Sequence, residues 1–405
     1  METVAIFWHW VEFALRWLHV IVGIAWIGSS FYFIALDLGL RRPSDLPQGV
    51  SGEEWQVHGG GFYHVQKYLV APDRLPEHLI WFKWESYSTW LSGFALLAVV
   101  YWLGAEFYLI DPGKMDLSLW QAIAISAGSL ALGWVIYDAL CKSPLGAHPM
   151  ALMLVLFAAL LAMGWAYDQV FTGRAALLHL GAFTATIMSG NVFFIIMPNQ
   201  RIVVADMKAG RVPDGKYGKI AKLRSTHNNY LTLPVIFLML SNHYPLAIGA
   251  QYTWAIAGLV FLMGVTIRHY FNTLHATGRG PHWTWAATVV LFLCVIWIST
   301  QRSAVADAVT LTPTQTRFVE ASGFAAVHDI VLGRCSMCHA AKPAWDGLYW
   351  PPKQVVLESE ADIARHARAI YLQAGLSHAM PPANLSYMEE TERRAIIAWY
   401  LDAQR

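Results

Sequence analysis

The sequence predicts an all-α protein in two parts. A polytopic eight-helix transmembrane bundle occupies residues 1–302, and a small soluble helical unit occupies residues 313–405, with a linker at 303–312 between them. Three observations carry this reading. Only 14% of the 405 residues are charged and 56% are hydrophobic, whereas a soluble domain carries about 25% charged residues. Eight apolar runs approach the roughly 20 residues that span ~30 Å of hydrocarbon. After the last of them the composition turns polar and a cysteine motif appears. A net charge of +1 argues against a nucleic-acid partner.

The runs lie at about 7–36, 79–110, 117–141, 148–167, 174–199, 227–243, 249–274 and 282–301. The first carries Glu12, Arg16 and His19 and lacks a basic leader, so it reads as a helix rather than a cleavable signal. Glu12, Arg16, His19, Gly23 and Ser30 recur at helical steps and share one face, and ionisable groups at membrane depth normally point inward. The roughly 40-residue connection to helix 2 is long. It reads as a loop that caps a site or as a tolerated insertion. The loops after helices 1, 3, 5 and 7 hold Arg41, Arg42, Lys67, Arg74, Lys142, Arg201, Lys208, Arg211, Lys216, Lys219, Lys222, Arg224 and Arg279, while the opposite loops hold little beyond Lys114 and Arg174. The positive-inside rule therefore places both termini outside the cytoplasm. The basic stretch 201–224 reads as a topology determinant at the headgroups with no catalytic role.

Helices 1 and 5 share a faint pattern, Leu18-His19 before Ile27-Gly28-Ser29-Ser30 and Leu178-His179 before Met188-Ser189-Gly190-Asn191. Helices 3 and 7 share another, around Gly133 to Asp138 and Gly264 to His269. A 4+4 repeat would make His19 and His179 symmetry mates near the outer leaflet. Two facing imidazoles can hold a b-type haem inside a bundle; two histidines satisfied by hydrogen bonds in a polar core is the alternative. A second polar cluster gathers at the inner ends of helices 2, 6, 7 and 8, including Lys83, Glu85, His227, Asn228, Arg268 and His269. Its mixed donors and cationic bias suit an anionic, hydrogen-bond-rich ligand, and a haem held by His227 and His269 is a further reading.

In the C-terminal unit, Cys335-Ser336-Met337-Cys338-His339 is a C-x-x-C-H motif, the signature of covalent haem attachment with the histidine as axial ligand. A zinc site would need two further ligands, and Cys141 and Cys294 lie far off in apolar sequence. Helices are expected at 313–332 and 389–403, with Phe318, Ile396, Trp399 and Tyr400 as packing residues. Met380, before Pro381 and Pro382, is the expected sixth ligand, with Met388 as the fallback. In bacteria such haem is attached on the periplasmic side, which agrees with the topology.

These residues carry a resemblance. The C-terminal unit looks like a class I cytochrome c. The whole chain resembles the bacterial membrane-bound urate oxidases, on Arg16-Trp17-Leu18-His19, Pro72-Asp73-Arg74-Leu75-Pro76, Trp81-Phe82-Lys83-Trp84-Glu85, His227-Asn228-Asn229-Tyr230 and the fused haem unit. The first helix also resembles those of smaller haem-binding membrane families, which favours His19 as a haem ligand. The resemblance implies an inner-membrane oxidoreductase that converts urate to 5-hydroxyisourate. Electrons would leave through one covalent haem c, helped by an intramembrane haem b, to soluble cytochrome c or a terminal oxidase. On that reading Lys83 or Arg268 pairs the urate anion, and His227, Asn228 or Glu85 accepts protons. Rival readings are a quinol- or porphyrinogen-oxidising relative and an electron conduit for another dehydrogenase.

Overall fold

The computed structural model describes residues 2–68, 75–248, 250–300, 311–348 and 351–404. Residues 303–310 of the linker expected at 303–312, and Pro72-Asp73-Arg74 of the Pro72-to-Pro76 motif, lie outside the described residues. Helices occupy each apolar run: α1 (Glu2–Gly39), α2 (Trp84–Leu96), α3 (Leu119–Lys142), α4 (Pro149–Val170), α5 (Gly173–Gly190), α6 (Gly215–Leu240), α7 (Thr253–Thr277) and α8 (Trp283–Ser299). Local chemistry sets several ends. Ser118 and Gln121 form a capping box before α3, Thr172 caps α5, Asp214 caps α6, and Gly278 closes α7 at φ 74°. Two helices widen into π-helical turns, α2 at Leu97–Trp102 and α5 at Asn191–Ile196, after which α5 continues as Met197–Lys208.

By length and composition, α1, α3, α4, α7 and the continuous α5 segment Gly173–Lys208 can cross a membrane, and α8 is a shorter apolar helix. Such helices are consistent with membrane association. The second and sixth runs do not qualify: α2 has 13 regular residues, and the first half of α6 is basic. None of α1's apolar window is buried in the chain, whereas 61% of α5's is. α5 is the hub, packed against α2, α3, α4, α6 and α7. Close approach depends on small residues. A Cβ at Gly133 would stand 2.1 Å from the Phe183 ring of α5, and one at Gly264 would stand 2.5 Å from Pro234 of α6.

Only the inner helices pair as the expected repeat would pair them. α1 packs on α2 as α5 packs on α6, and α1 meets α7 as α5 meets α3. α4, however, leans on both α5 and α7, while α8 lies chiefly on α7.

The all-α expectation needs one correction. The long connection after α1 holds an antiparallel hairpin, β1 (Val50–His58) paired to β2 (Gly61–Tyr68). Its two-residue turn is Gly59-Gly60, both at positive φ, which suits the right-handed twist of a tight hairpin. The hairpin is fixed to the end of α1. Arg41 and Glu53 exchange two backbone hydrogen bonds of 2.9 Å, and Lys67 pairs with Asp37.

The C-terminal unit is built from α9 (Pro313–Glu320), α10 (Phe324–Arg334), α11 (Ser336–His339), α12 (Glu360–Arg365) and α13 (Glu390–Asp402). The helix expected at 313–332 is thus two helices, broken where Gly323 takes φ 88°. Phe318, Phe324, Val327, Val331, Ile396 and Trp399 form its core, and Trp399 Nε1 donates to the Phe318 carbonyl at 2.8 Å. This unit rests on the α2–α3 connection: Gln315 Nε2 donates to the Glu106 carbonyl at 3.1 Å, and Phe107 meets Phe318 at 6.1 Å between centroids.

Candidate functional site

Consecutive residues on a helix point about 100° apart. On α6 this sends His227, Asn228 and Asn229 toward three different helices. His227 Nδ1 lies 2.7 Å from the Tyr137 phenol of α3, Asn228 bonds the Met188 carbonyl and Asn191 of α5, and Asn229 faces Arg268 and Asn272 of α7. Asn191 Nδ2 donates to the Tyr137 oxygen at 3.0 Å, an arrangement in which the phenol O–H can donate to His227 Nδ1. The neutral imidazole then carries its proton on Nε2. That Nε2 is buried and, among the described residues, has no hydrogen-bond partner, and the same holds for Asn229 Nδ2, Ser189 Oγ and Glu85 Oε2.

Asn228 is spent on holding α5, so it is a positioning residue rather than a proton acceptor. Its neighbour Arg224 corrects the reading of the basic stretch as wholly interfacial. Arg224 is 2% exposed, donates to Asp138 at 2.6 Å and to Asn191 Oδ1 at 3.1 Å, and lies over the Tyr137 ring. Burial of this guanidinium is tolerable because Asp138 neutralises it.

Arg268 differs. It is 6% exposed, and its guanidinium sits 4.1 Å over the Phe31 ring of α1. Its Nε donates to Asn229 Oδ1 at 3.3 Å and its Nη2 to Asn272 Oδ1 at 2.9 Å. Among the described residues no carboxylate pairs with it. A buried guanidinium with no carboxylate partner among the described residues, bonded to an Asn229 whose own Nδ2 is unpartnered there, is a site for a planar anion. Glu85, on the first turn of α2, offers a buried carboxylate oxygen with no partner. Lys83 caps α2 instead, its ammonium 5.6 Å over the exposed Trp84 ring, and the structure does not join it to this cluster.

The histidines expected to face one another do not. His19 Nδ1 bonds Ser92 Oγ and the Thr89 carbonyl of α2. His179 is wholly buried, with Nε2 on Ser126 Oγ at 2.9 Å and Nδ1 on the Ala175 carbonyl at 2.8 Å, and is enclosed by Tyr101, Tyr167 and Phe171. His19 and His179 thus bond different helices, and His179, with both nitrogens engaged in a packed core, does not fit as a haem ligand. Nor are His227 and His269 joined, for His269 packs on Trp283 of α8.

In the C-terminal unit the donor set fits a covalently held haem. Cys335 and Cys338 are free thiols one turn apart. Burial pushes the Cys335 thiol up to about 11, helped by Cys338 and Glu392 nearby, the reverse of the depressed pKa of a thiolate metal site. His339 Nδ1 lies 2.9 Å from the Val355 carbonyl, which leaves Nε2 for iron. Met380 stands 36% exposed in a loop pinned by Arg393, whose Nη1 donates to the Met380 carbonyl at 2.9 Å. Met388 is 3% exposed and belongs to the core.

Sequence reasoning missed Tyr137, Asn191 and Ser189 as site residues. The signal was present but needs structure to read: Asn191 opens a π-helical turn, a distortion common at functional sites. Residues 5–299 match the family described as urate oxidase N-terminal. Comparison with curated proteins and with solved structures returns no significant match.

Proposed function

Because the chain belongs to the urate oxidase N-terminal family, we propose that it oxidises urate to 5-hydroxyisourate and exports the electrons through a c-type haem on its C-terminal unit. Urate and water yield 5-hydroxyisourate, two protons and two electrons, with no peroxide formed. The observation that carries the reading is Arg268, a buried cation with no carboxylate partner among the described residues. A purine monoanion supplies the counter-charge, and its carbonyl groups accept from His227 Nε2–H and Asn229 Nδ2. Phe31 and Asn272 hold the guanidinium plane in place. Glu85 supplies a carboxylate for a released proton.

Bound through Cys335 and Cys338 with His339 and Met380 as axial ligands, the haem would supply one-electron transfer at a potential raised by the thioether. The topology supports a periplasmic position for it. Gln315 and Phe318 dock on the α2–α3 connection, which sits on the side opposite the basic loops. Electrons would pass on to soluble cytochrome c or a terminal oxidase.

Anaerobic titration of the purified protein with urate tests this. Half an equivalent of urate per chain should reduce the c-haem fully, because the donor carries two electrons and the haem one. No reduction by urate, with reduction by a quinol, selects the quinol-oxidising alternative. Reduction only when another dehydrogenase is added selects the conduit.

A further inference from the structure

The β1–β2 hairpin folds back along α1. Three residues of β1 meet three of α1 in reverse order. Glu53 and Arg41 share a backbone bridge, a Cβ at Gly39 would stand 3.0 Å from the Glu54 carboxylate, and Gln56 accepts from the Tyr32 phenol at 2.6 Å. The strand therefore retraces the helix toward its apolar middle. Lys67 of β2, paired with Asp37, belongs to the same near end. Beyond Gln56 the Gly59-Gly60 turn lies about 10 Å farther in that direction, at about 3.3 Å per strand residue.

Alternation along the strand decides which side chains face outward. Glu54 and Gln56 meet α1, so Trp55, Val57 and the cross-strand Phe62 lie on the face turned away from it. All three are exposed, Phe62 by 77%, whereas the near halves of both strands are at least partly buried. A two-stranded hairpin with such an open apolar face is an aggregation surface in water. In contact with acyl chains it is satisfied.

A separate set of residues marks the level of the bilayer surface. Phe33, next to Tyr32, meets Phe82 edge-on at 4.8 Å between centroids, and Ile80, Phe82 and Trp84 are exposed where α2 begins. The Lys83 ammonium lies 5.6 Å over the Trp84 ring. Exposed aromatic residues with a cation among them, at the ends of apolar helices, form the belt of a membrane–water interface. Tyr32 and Gln56 stand at that level. Val57, Phe62 and the turn lie on its lipid side.

We propose that the far half of the hairpin is a lipid-binding wedge. Trp55, Val57 and Phe62 insert into the headgroup–acyl boundary of the leaflet on the side of the basic loops, and phospholipid covers their open face. The depth matches the roughly 5–10 Å to which interfacial apolar faces are buried. Unpaired backbone groups of the turn keep it among the headgroups rather than in the hydrocarbon. Charge does not drive the contact, because Arg41 and Arg42 share the cavity between hairpin and α1 with Glu53 and Glu54.

The test uses the full-length protein in phosphatidylcholine nanodiscs. Single nitroxide labels are placed by Val57→Cys, Phe62→Cys and Ser44→Cys, the last in the exposed connection before β1. The background carries Cys141→Ala and Cys294→Ala, and the same background without an added cysteine is the blank. Power-saturation EPR should show the labels at 57 and 62 relaxed more by dissolved oxygen than by an aqueous nickel chelate, with the reverse order at 44. Nickel relaxing 57 and 62 more than oxygen does would place the tip in water and overturn the wedge. Shielding of both from both agents would show protein over this face, a second copy of the chain included, and would also overturn it. Insertion only after anionic phosphatidylglycerol is added would replace the apolar wedge by electrostatic docking. None of these readouts depends on urate turnover.

Discussion

The Tyr137 phenol oxygen lies 2.7 Å from Nδ1 of His227 and accepts from Asn191 Nδ2 at 3.0 Å. With the phenol donating to Nδ1, the neutral imidazole carries its proton on Nε2, which is buried and has no hydrogen-bond partner among the described residues. Tyr137→Phe releases that choice. Urate-driven reduction of the c-haem should slow by about tenfold to a hundredfold, toward the lower range of what positioned proton-transfer groups contribute. The pH profile of the rate should shift while c-haem content stays at the wild-type level. A purely structural role for Tyr137 would leave the profile where it is.

Arg268 should tolerate no substitute, lysine included. A planar fork over Phe31 with donors left over binds a flat anion in two places, and a lysine ammonium is a point charge on a flexible stem. Arg268→Lys should raise the Kd for urate by about tenfold to a hundredfold, the equivalent of about 1.5–3 kcal/mol for a lost charge-assisted bond. Binding measured by tryptophan fluorescence on detergent-solubilised protein decides it. Equal affinity would remove Arg268 from the site.

The Arg224–Asp138 pair should matter to folding more than to chemistry. Asp138→Ala leaves a guanidinium that is 2% exposed without its carboxylate, and breaking such a pair costs about 3–5 kcal/mol. The thermal midpoint should fall sharply. The double variant Asp138→Ala, Arg224→Met should recover much of the loss, because no unpaired charge is then buried. An additive double variant would contradict this.

The two methionines of the C-terminal unit should separate cleanly. Met380→Ala should leave the unit folded and the haem attached, but lower its reduction potential and open the iron to cyanide. Met388→Ala should lower the thermal midpoint by the equivalent of about 2–5 kcal/mol through cavity formation, because Met388 is core. The reverse pattern would exchange the roles of the two residues.

Much of this was legible in the chain. Apolar length placed the helices, and one five-residue motif marked the C-terminal unit. Polar residues on the inner turns of helices 2, 6 and 7 singled out Arg268 and His227, which the structure buries. What failed did so for physical reasons. The hairpin hid because its Gly59-Gly60 turn and alternating strands sit in a segment judged by length alone. The pairing of His19 with His179 rested on symmetry, and symmetry cannot show that Ser126 and Ala175 already engage both nitrogens of His179. Arg224 looked interfacial because a run of basic residues gives no sign of which member finds a buried carboxylate. Lys83 looked central beside Glu85, yet it stands at the N-cap of α2 with its ammonium over the exposed Trp84 ring.

The Gly264–Pro234 contact bears on all of this without touching a ligand. Pro234 has no N–H to donate inside α6, so it weakens the helix just where α7 comes nearest, and the hydrogen at Gly264 is what lets α7 come that near. The two together work like a key in a shaft: they index the angle at which α6 is seated. His227, Asn228 and Asn229 take their aim from that angle. A single methyl group at residue 264 would therefore put all three out of true at once, five to seven positions along α6 from the proline it presses on.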